Sequence, residues 1–446
     1  MSNSKLIPLA LLLTVASPSW AQFGAFPTFP YAQTAPLDSS SATVGSPAIW
    51  LHPTTLTKSL LLTVDGTTSL NAYDISGNGA ALATLAGAYT DVDVTYQFPL
   101  AGSAQALIAA RATDGTVRFF TVDPTTRALH DVSASPPLTL STGGGCLRLA
   151  RPADAPGTWE LWTTSGVNLE RWRIRADAGV NQVTADLLAS APILVGDVAG
   201  CAADEAQGVL YVSEATLGLA RARVFLDGGS SVFFPATLGT GPLVNASSVG
   251  ALGLYRAAAG QGDIVLATEG AIGNGNTLFM LFDRATNGYV SSFTIMDSGT
   301  VGAVHNSAGL ALANLPVDAR APGGTLVAHD AENGVSHPNF KLVSWSTIAD
   351  GANATDGGGL LPVPTDTTFD PRALTGDSDG GATLEDAGHN GVNNGSDGAA
   401  GPGIKRNPTP SSCACSTTDA SGTVLLFGLI LARALLRRRD SVDFDA

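Results

Sequence analysis

Cys146 and Cys201 are the only cysteines in the first 410 residues of this 446-residue chain, and thiol chemistry is the first chemistry that its residues suggest. In an exported protein, two such cysteines form a disulfide more often than a metal site. Two free, buried thiols are the alternative. The choice depends on whether the chain is exported, which the two ends of the sequence address.

Other patterns that could carry chemistry are weak. The sequence has no H-E-x-x-H zinc motif and no P-loop, and the glycine-rich GAIGNGNT at 270–277 lacks the strand-to-helix context of a phosphate-binding loop. His329 and His337 are two lone histidines near a predicted loop, a spacing that favours surface residues over a transition-metal site. No catalytic residue is therefore assigned from motifs alone.

The N-terminal end has the pattern of a secretory signal peptide. Lys5 is followed by the apolar run LIPLALLLTVA, and SWA ends at Ala21 with small residues at the positions that precede a cleavage site. A buried N-terminal helix is the alternative. We predict that residues 1–21 are a signal peptide and that the protein is exported.

The C-terminal end contains a linker and a short apolar segment. Residues 374–410 are rich in Gly, Asp and Asn, which is typical of a disordered linker, and their Asp379 and Glu385 have an incomplete spacing for a calcium loop. In 411–446, a stretch of about 17 apolar residues (420–436) is at the lower end of what spans a bilayer.

The tail at 411–446 has three parts: a cysteine pair, the apolar segment and an arginine cluster, namely Cys413, Cys415, Arg437, Arg438 and Arg439. This order resembles the C-terminal sorting signal of myxobacterial surface proteins. The resemblance implies a transmembrane segment, processing near Cys413, and a protein that is anchored at the cell surface or released. An ordinary single-span membrane anchor is the alternative.

Residues 22–373 remain as the folded part, and their composition limits the possible partners. Charged residues make up 14% of the chain, and the formal net charge of −15 gives no support for binding nucleic acid. About 350 residues are enough for one large domain or two ordinary ones. We expect a monomer.

The elements that must position any site are short strands separated by Gly, Asn, Asp and Pro. A phrase of alternating apolar and aromatic residues followed by a turn recurs at intervals of about 47 to 63 residues, the size of one propeller blade. Its aromatic positions are Tyr73, Phe120, Trp172, Phe225, Phe282 and Trp345. Six such units predict an all-β, six-bladed β-propeller whose repeated aromatics lie in the core between blades. A pair of β-sandwiches is the alternative.

Seven phrases, in order along the chain, resemble the β-propeller phytase family. They are PAIWLHP (47–53), LNAYDISG (70–77), DVDVTYQFPL (91–100), GCAADEAQGVLYVSEA (200–215), TLVAHDAEN (325–333), NFKLVSWSTIAD (339–350) and FDPR (369–372). The resemblance implies a calcium-dependent 3-phytase, a phosphatase that removes phosphates from phytate, inositol hexakisphosphate. A ring of carboxylates at one mouth of the propeller then holds calcium as the cofactor, and basic side chains bind phosphate.

Several residues of this sequence match functional positions of the family. The resemblance assigns calcium binding to Glu214, to Asp91 and Asp93, and to the acidic segment Asp330, Glu332 and Asn333. It assigns phosphate binding to Arg111. Asp91 and Asp93 could instead brace turns, and the segment at 330–333 could be a solvated turn.

Other functional positions of the family are replaced. Two aspartates before Pro47 become Gly45 and Ser46, and the remaining replaced positions are Gly66, Thr67, Ser165, Ala199, Ser248, Gly250, Asn306 and Ala308. Calcium needs six to eight oxygen ligands, so such losses weaken or abolish its site. The sequence therefore gives two hypotheses: a phytase-like enzyme, or a non-catalytic surface binding or scaffold propeller, which the replaced residues favour.

Overall fold

The computed structural model describes residues 25–38, 44–140, 145–177, 179–193, 196–269, 275–334, 337–355 and 362–373. All of them belong to the first of the two units into which the chain divides, Met1–Thr383 and Leu384–Ala446. The predicted signal peptide (1–21), the predicted linker (374–410) and the predicted sorting tail (411–446) lie outside the described residues.

The described residues form six separate sheets, which are the blades of a six-bladed β-propeller, and the predicted fold is confirmed. Two N-terminal strands, β1 (Phe26–Thr28) and β2 (Pro30–Gln33), join blades made by the end of the chain. Blade 1 then contains β3 (Ala48–Trp50), β4 (Leu60–Val64), β5 (Ser69–Asp74) and β6 (Ala83–Ala86). Blade 2 contains β7 (Tyr89–Leu100), β8 (Ser103–Ala112), β9 (Thr116–Val122), β10 (Leu129–Asp131) and the short β11 (Leu138–Thr139).

The next four blades follow in chain order. Blade 3 contains β12 (Leu147–Ala150), β13 (Trp159–Ser165), β14 (Asn168–Asp177) and β15 (Gln182–Pro192). Blade 4 contains β16 (Val198–Asp204), β17 (Val209–Glu214), β18 (Gly218–Val224) and β19 (Ser230–Thr237). Blade 5 contains β20 (Ser248–Arg256), β21 (Gly262–Glu269), β22 (Leu278–Asp283) and β23 (Tyr289–Ile295), with β1 parallel to β23. Blade 6 contains β24 (Leu310–Ala313), β25 (Thr325–Asp330) and β26 (Asn339–Ser344), with β2 at its outer edge.

The repeated sequence phrase corresponds to the third strand of each blade. Tyr73, Phe120 and Phe282 lie within β5, β9 and β22 and are buried. Trp172 lies in β14 and is partly buried, while Phe225 directly follows β18. Strands in the middle of a blade are covered on both faces by neighbouring blades, so they read as continuous apolar runs, such as LLLTV in β4. This is why the repeat was visible in the sequence.

The N-terminal strand β2 closes the ring. It pairs antiparallel to β26, with Gln33 opposite Lys341 and Pro30 opposite Val343. Blade 6 therefore takes its outer strand from the beginning of the chain and its three inner strands from the end. The first and last parts of the domain are held in one sheet.

One helix, α1 (Trp345–Thr355), follows β26 and was not predicted. Trp345, Ile348, Ala349 and Ala352 are all buried, the spacing of a helix with one apolar face. Trp345 stacks on Tyr255, with ring centroids 4.2 Å apart. In the portion of the chain that the structure covers, no helix is both long and apolar enough to cross a bilayer.

Candidate functional site

The propeller has two mouths, which differ in how open they are. The innermost strands β3, β7, β12, β16, β20 and β24 begin at what we call the upper mouth and end at the lower mouth. A cavity of about 490 Å³ lies at the upper mouth, lined in part by Ser46, Asp91, Arg111 and Cys146. The channel below it has a smaller volume, about 150 Å³.

Residues 362–373 lie across the lower mouth. Phe369 and Pro371 line the channel, and the guanidinium of Arg256 lies 5.2 Å from the centre of the Phe369 ring. Arg151 Nη2 donates to the carbonyl of Pro371 at 2.8 Å, and Arg372 Nη1 donates to the carbonyl of His52 at 2.6 Å. A ligand therefore has access to the site from the upper mouth.

Asp91 and Asp93 project from β7 and bind the neighbouring blade 3. Asp91 Oδ2 accepts the backbone N–H of Leu147 at 2.8 Å and lies 3.0 Å from Arg148 Nη1. Asp93 Oδ2 accepts the backbone N–H of Leu149 at 2.7 Å. Burial raises the pKa of Asp93 to about 6, although the nearby charge of Arg148 opposes the rise. Both carboxylates are thus used to link blades 2 and 3.

Arg148 and a disulfide extend these links to blade 4. Arg148 Nε donates to the backbone carbonyl of Cys201 at 2.8 Å. Cys146, just before β12, and Cys201, in β16, are joined in a disulfide that spans 55 residues of sequence. Of the two alternatives for these cysteines, the structure contains the bridged one.

Arg111 supplies positive charge at the upper mouth. Of the described residues that line the 490 Å³ cavity, it is the one with a cationic side chain. Its Nη1 lies 3.5 Å from the carbonyl oxygen of Thr164. Burial lowers the pKa of its guanidinium, and the charges of Asp91 and Glu170 oppose that change. The structure thus places Arg111 in the lining of the upper-mouth cavity, as a largely buried side chain.

Glu214 ends β17, and its carboxylate closes the turn that follows. It accepts the backbone N–H groups of Thr216 at 3.0 Å and Asp197 at 3.2 Å, and the hydroxyl of Thr216 at 3.0 Å. Two carboxylates at the same place in other blades were missed by the sequence analysis. Asp65 accepts three backbone N–H groups of its own turn, and Glu269 accepts the hydroxyl of Ser248.

Asp330, Glu332 and Asn333 lie at the end of β25, beside a buried lysine. Lys341 Nζ is 3.3 Å from Asp330 Oδ2 and donates to Asn333 Oδ1 at 2.8 Å. It also donates to the side chain of Gln33 in β2. Glu332 accepts the side-chain amide of Asn306. The side-chain ammonium group of Lys341 thus lies among the oxygens to which the resemblance assigns calcium.

His329 corrects one prediction, because it is buried and not at the surface. Its ring packs against Phe340, with ring centroids 5.5 Å apart, and its Nδ1 accepts the backbone N–H of Ala308 at 3.3 Å. Burial lowers its pKa to about 4, so the ring is neutral at physiological pH. His329 therefore belongs to the core of blade 6.

The sequence comparisons agree with the fold. The phytase family model matches residues 3–376, which is most of the chain. The chain belongs to the phytase family. It is similar to the 3-phytase of Bacillus subtilis (strain 168), with 27% identity over 332 residues that cover 72% of this chain and 84% of the relative. The predicted family is confirmed.

Solved structures with similar architecture are more distant. One is the Cps50 (Swd1) β-propeller domain of Myceliophteria thermophila, with a TM-score of 0.36 and 12% identity over 68% of this chain and 83% of that chain. Another is BBS1N in complex with ARL6DN, with a TM-score of 0.36 and 11% identity over 65% of this chain and 76% of that chain. Likeness at this level carries no argument about function.

The calcium ions typical of the phytase family do not fit the residues of this upper mouth. A Cβ atom on Gly45 would lie 1.8 Å from the carbonyl oxygen of Thr90, and one on Gly250 would lie 2.9 Å from that of Ser307. Both glycines stand at positions where the resemblance expects carboxylates. Backbone of the neighbouring blade occupies the space that those side chains need.

The donor set leads to the same conclusion. Among the described residues, no group of three or more His, Cys, Asp or Glu side chains is placed to hold a metal ion. Asp91 and Asp330 are paired with Arg148 and Lys341, and Glu214 is bonded to its own turn. Hard cations need several free oxygen ligands at once, and these oxygens are divided among separate blades.

Proposed function

We propose that this phytase-family propeller acts as a binding or scaffold module at the cell surface and does not use the calcium-dependent hydrolysis typical of its family. The observation that carries the proposal is Gly45. Its Cα lies so close to blade 2 that a side chain at this position would meet the backbone of Thr90. The carboxylate ring that concentrates calcium is therefore replaced by direct contact between blades.

The environment of the upper mouth supports this proposal. The dense positive charge needed to bind a polyanion such as phytate comes largely from bound calcium. Without it, Arg111 is the cation that lines the cavity among the described residues, and Asp91 and Asp114 line the same cavity. A mouth with this charge balance suits a ligand of low charge better than an inositol polyphosphate.

A phosphatase assay on the purified full-length protein tests the proposal. Phosphate release from phytate is measured with excess calcium and with a chelator, and calorimetry measures phytate binding under both conditions. We expect no calcium-dependent release and no tight calcium-dependent binding. Release that calcium stimulates and the chelator abolishes would overturn the proposal. The phytase of Bacillus subtilis, assayed in parallel, is the positive control.

Weak phosphate-ester hydrolysis is the second candidate function, and two retained residues favour it. Arg111 lines the cavity and Glu214 is buried at the end of β17, at positions that match the family. This candidate expects calcium-stimulated release that falls in both Arg111→Met and Glu214→Gln. Loss in neither variant would point to a contaminating phosphatase.

We also propose that the protein is exported and that its tail holds it at the cell surface, as a monomer. The signal-peptide pattern at 1–21, the tail pattern at 411–446 and the Cys146–Cys201 disulfide, a bond typical of oxidising compartments, support this. Protease treatment of intact cells should remove the full-length protein. A chain that ends at residue 410 should appear in the medium, and retention of both forms in the cytoplasm would contradict the proposal.

A further inference from the structure

The six interfaces between neighbouring inner strands at the upper mouth are built in two ways. At four of them a glycine lets the backbones approach closely. A Cβ atom on Gly45, Gly200, Gly250 or Gly309 would lie 1.8 to 2.9 Å from backbone of the next blade. The interfaces between blades 2 and 3 and between blades 3 and 4 carry side-chain links instead.

Those side-chain links form one continuous set across three inner strands. Asp91 and Asp93 of β7 accept N–H groups of β12, and Arg148 of β12 bonds to Asp91 and to the carbonyl of Cys201 in β16. The disulfide between Cys146 and Cys201 joins blades 3 and 4 covalently. The inner strands of neighbouring blades do not share a hydrogen-bonded ladder, so such links help to fasten their inner ends.

We propose that this set, from Asp91 through Arg148 to the Cys146–Cys201 disulfide, is a metal-free, redox-sensitive fastening of blades 2, 3 and 4 at the upper mouth. The guanidinium of Arg148 lies between the carboxylate of Asp91 in blade 2 and the backbone carbonyl oxygen of Cys201 in blade 4. The disulfide is the covalent part. The stability of the propeller then depends on the redox state of these sulfurs and not on calcium.

Cys146 is the cysteine of this disulfide that a small thiol in the upper-mouth cavity would meet. Cys146 lines the 490 Å³ cavity and is 4% exposed, whereas Cys201 is fully buried. A thiolate of dithiothreitol attacks the Cys146 sulfur and releases the Cys201 thiolate, which takes up a proton. The second thiol of the reagent then displaces Cys146 as its thiol and leaves the reagent as a cyclic disulfide. Two electrons thus pass from the reagent to the protein.

Thermal unfolding of the full-length protein tests the proposal under four conditions: calcium or chelator, each with and without dithiothreitol. We expect reduction to lower the unfolding midpoint by about 5–10 °C, as for a disulfide that closes a loop of this length. Calcium and chelator should give the same midpoint in the oxidised protein. Thiol counting before each scan establishes that the bond is reduced.

A Cys146→Ser, Cys201→Ser double variant is the matched control, because it retains the tail cysteines Cys413 and Cys415. Its midpoint should equal that of the reduced wild type and should not respond to dithiothreitol. If the variant does not fold, the change in the unfolding midpoint on reduction of the folded wild type still tests the proposal. The proposal is overturned if calcium raises the midpoint of the oxidised protein by several degrees, or if verified reduction leaves it unchanged. Neither readout depends on phosphatase activity, so the proposal stands or fails separately from the proposed function.

Discussion

At the upper mouth, the inner interfaces of blades 2 to 4 and those of the other blades are built by opposite means. The first group uses charge, hydrogen bonds and a covalent bond, through Asp91, Arg148 and the disulfide. The second group uses the absence of side chains, as at Gly45 and Gly309. An ion pair can be titrated, a disulfide can be reduced, and either link is broken by removing one partner. A glycine contact tolerates none of the other residues, because the space for a Cβ atom is already filled.

The difference also shows what restoring a carboxylate at Gly45 would require. A carboxylate restored at Gly45 would have to displace backbone of blade 2, whose Asp91 is itself held by blade 3. The two kinds of interface therefore share strand β7. A change at one is expected to be felt at the other.

The largest effect is expected from Arg148→Met, which breaks the side-chain links. The buried carboxylate of Asp91 would lose its partner, and breaking a buried ion pair in this way costs about 3–5 kcal/mol of the free energy of unfolding. Chemical denaturation measures it. The double variant Asp91→Asn, Arg148→Met removes the uncompensated charge and should recover part of the loss. No recovery would mean that Arg148 acts by packing alone.

Gly45→Ala tests the glycine interfaces and is expected to cost about 3 kcal/mol, because the added methyl group meets a backbone carbonyl and not a flexible side chain. Gly179→Ala is the matched control, since its Cβ atom would make only an ordinary contact, 3.4 Å from Asp177. Denaturation midpoints of the two variants should differ clearly. Equal stability would show that the blades can separate at this interface without cost.

The pH dependence of stability tests Asp93. Its pKa is raised from 3.8 to about 6, so the folded protein binds a proton more tightly than the unfolded chain does. Stability should therefore fall as the pH rises from about 4 to about 6, by about 2 kcal/mol. In Asp93→Asn this part of the pH dependence should vanish. An unchanged pH profile in the variant would assign the titration to another group.

Glu214→Gln is expected to have the smallest effect, about 1 kcal/mol, because the amide oxygen can still accept part of the hydrogen bonds of the turn. The loss should be the same with calcium and with chelator, measured by thermal unfolding. Thr216→Val, which removes one donor to the same carboxylate, is the matched control. A loss that appears only with calcium would assign Glu214 to a metal site.

The sequence predicted the blades because their middle strands are covered on both faces. The recurring aromatics at Tyr73, Phe120 and Phe282 follow from that burial, and they needed no knowledge of long-range contacts. Helix α1 was missed although Trp345, Ile348, Ala349 and Ala352 have helical spacing, because the phrase around Trp345 matched the strand repeat.

The partners of the candidate site residues could not be predicted in this way. Asp91 meets Arg148 and Asp330 meets Lys341 only once neighbouring strands are placed, and charges on different strands carry no sequence periodicity that reveals their pairing. Arg148 lies two residues after Cys146 in sequence, and its side chain lines the channel. Because side chains two residues apart on a strand point to the same side, this spacing is a sequence signal for Arg148. The lack of space at Gly45 depends on the path of another blade, and no local pattern encodes it.

The pairing of β2 with β26 also sets the order in which the molecule can be made. The hydrogen bond from Lys341 to Gln33 spans 308 residues, so β2 has no partner until the last blade exists. Contacts between residues so far apart in sequence form late in folding, because closing the intervening loop costs conformational entropy before the strands can pair. A nascent chain thus keeps an open ring until blade 6 is complete. Truncation that removes β2 exposes the edge of β26, and truncation that removes blade 6 leaves β2 unpaired. An exposed strand edge of either kind is a template for aggregation.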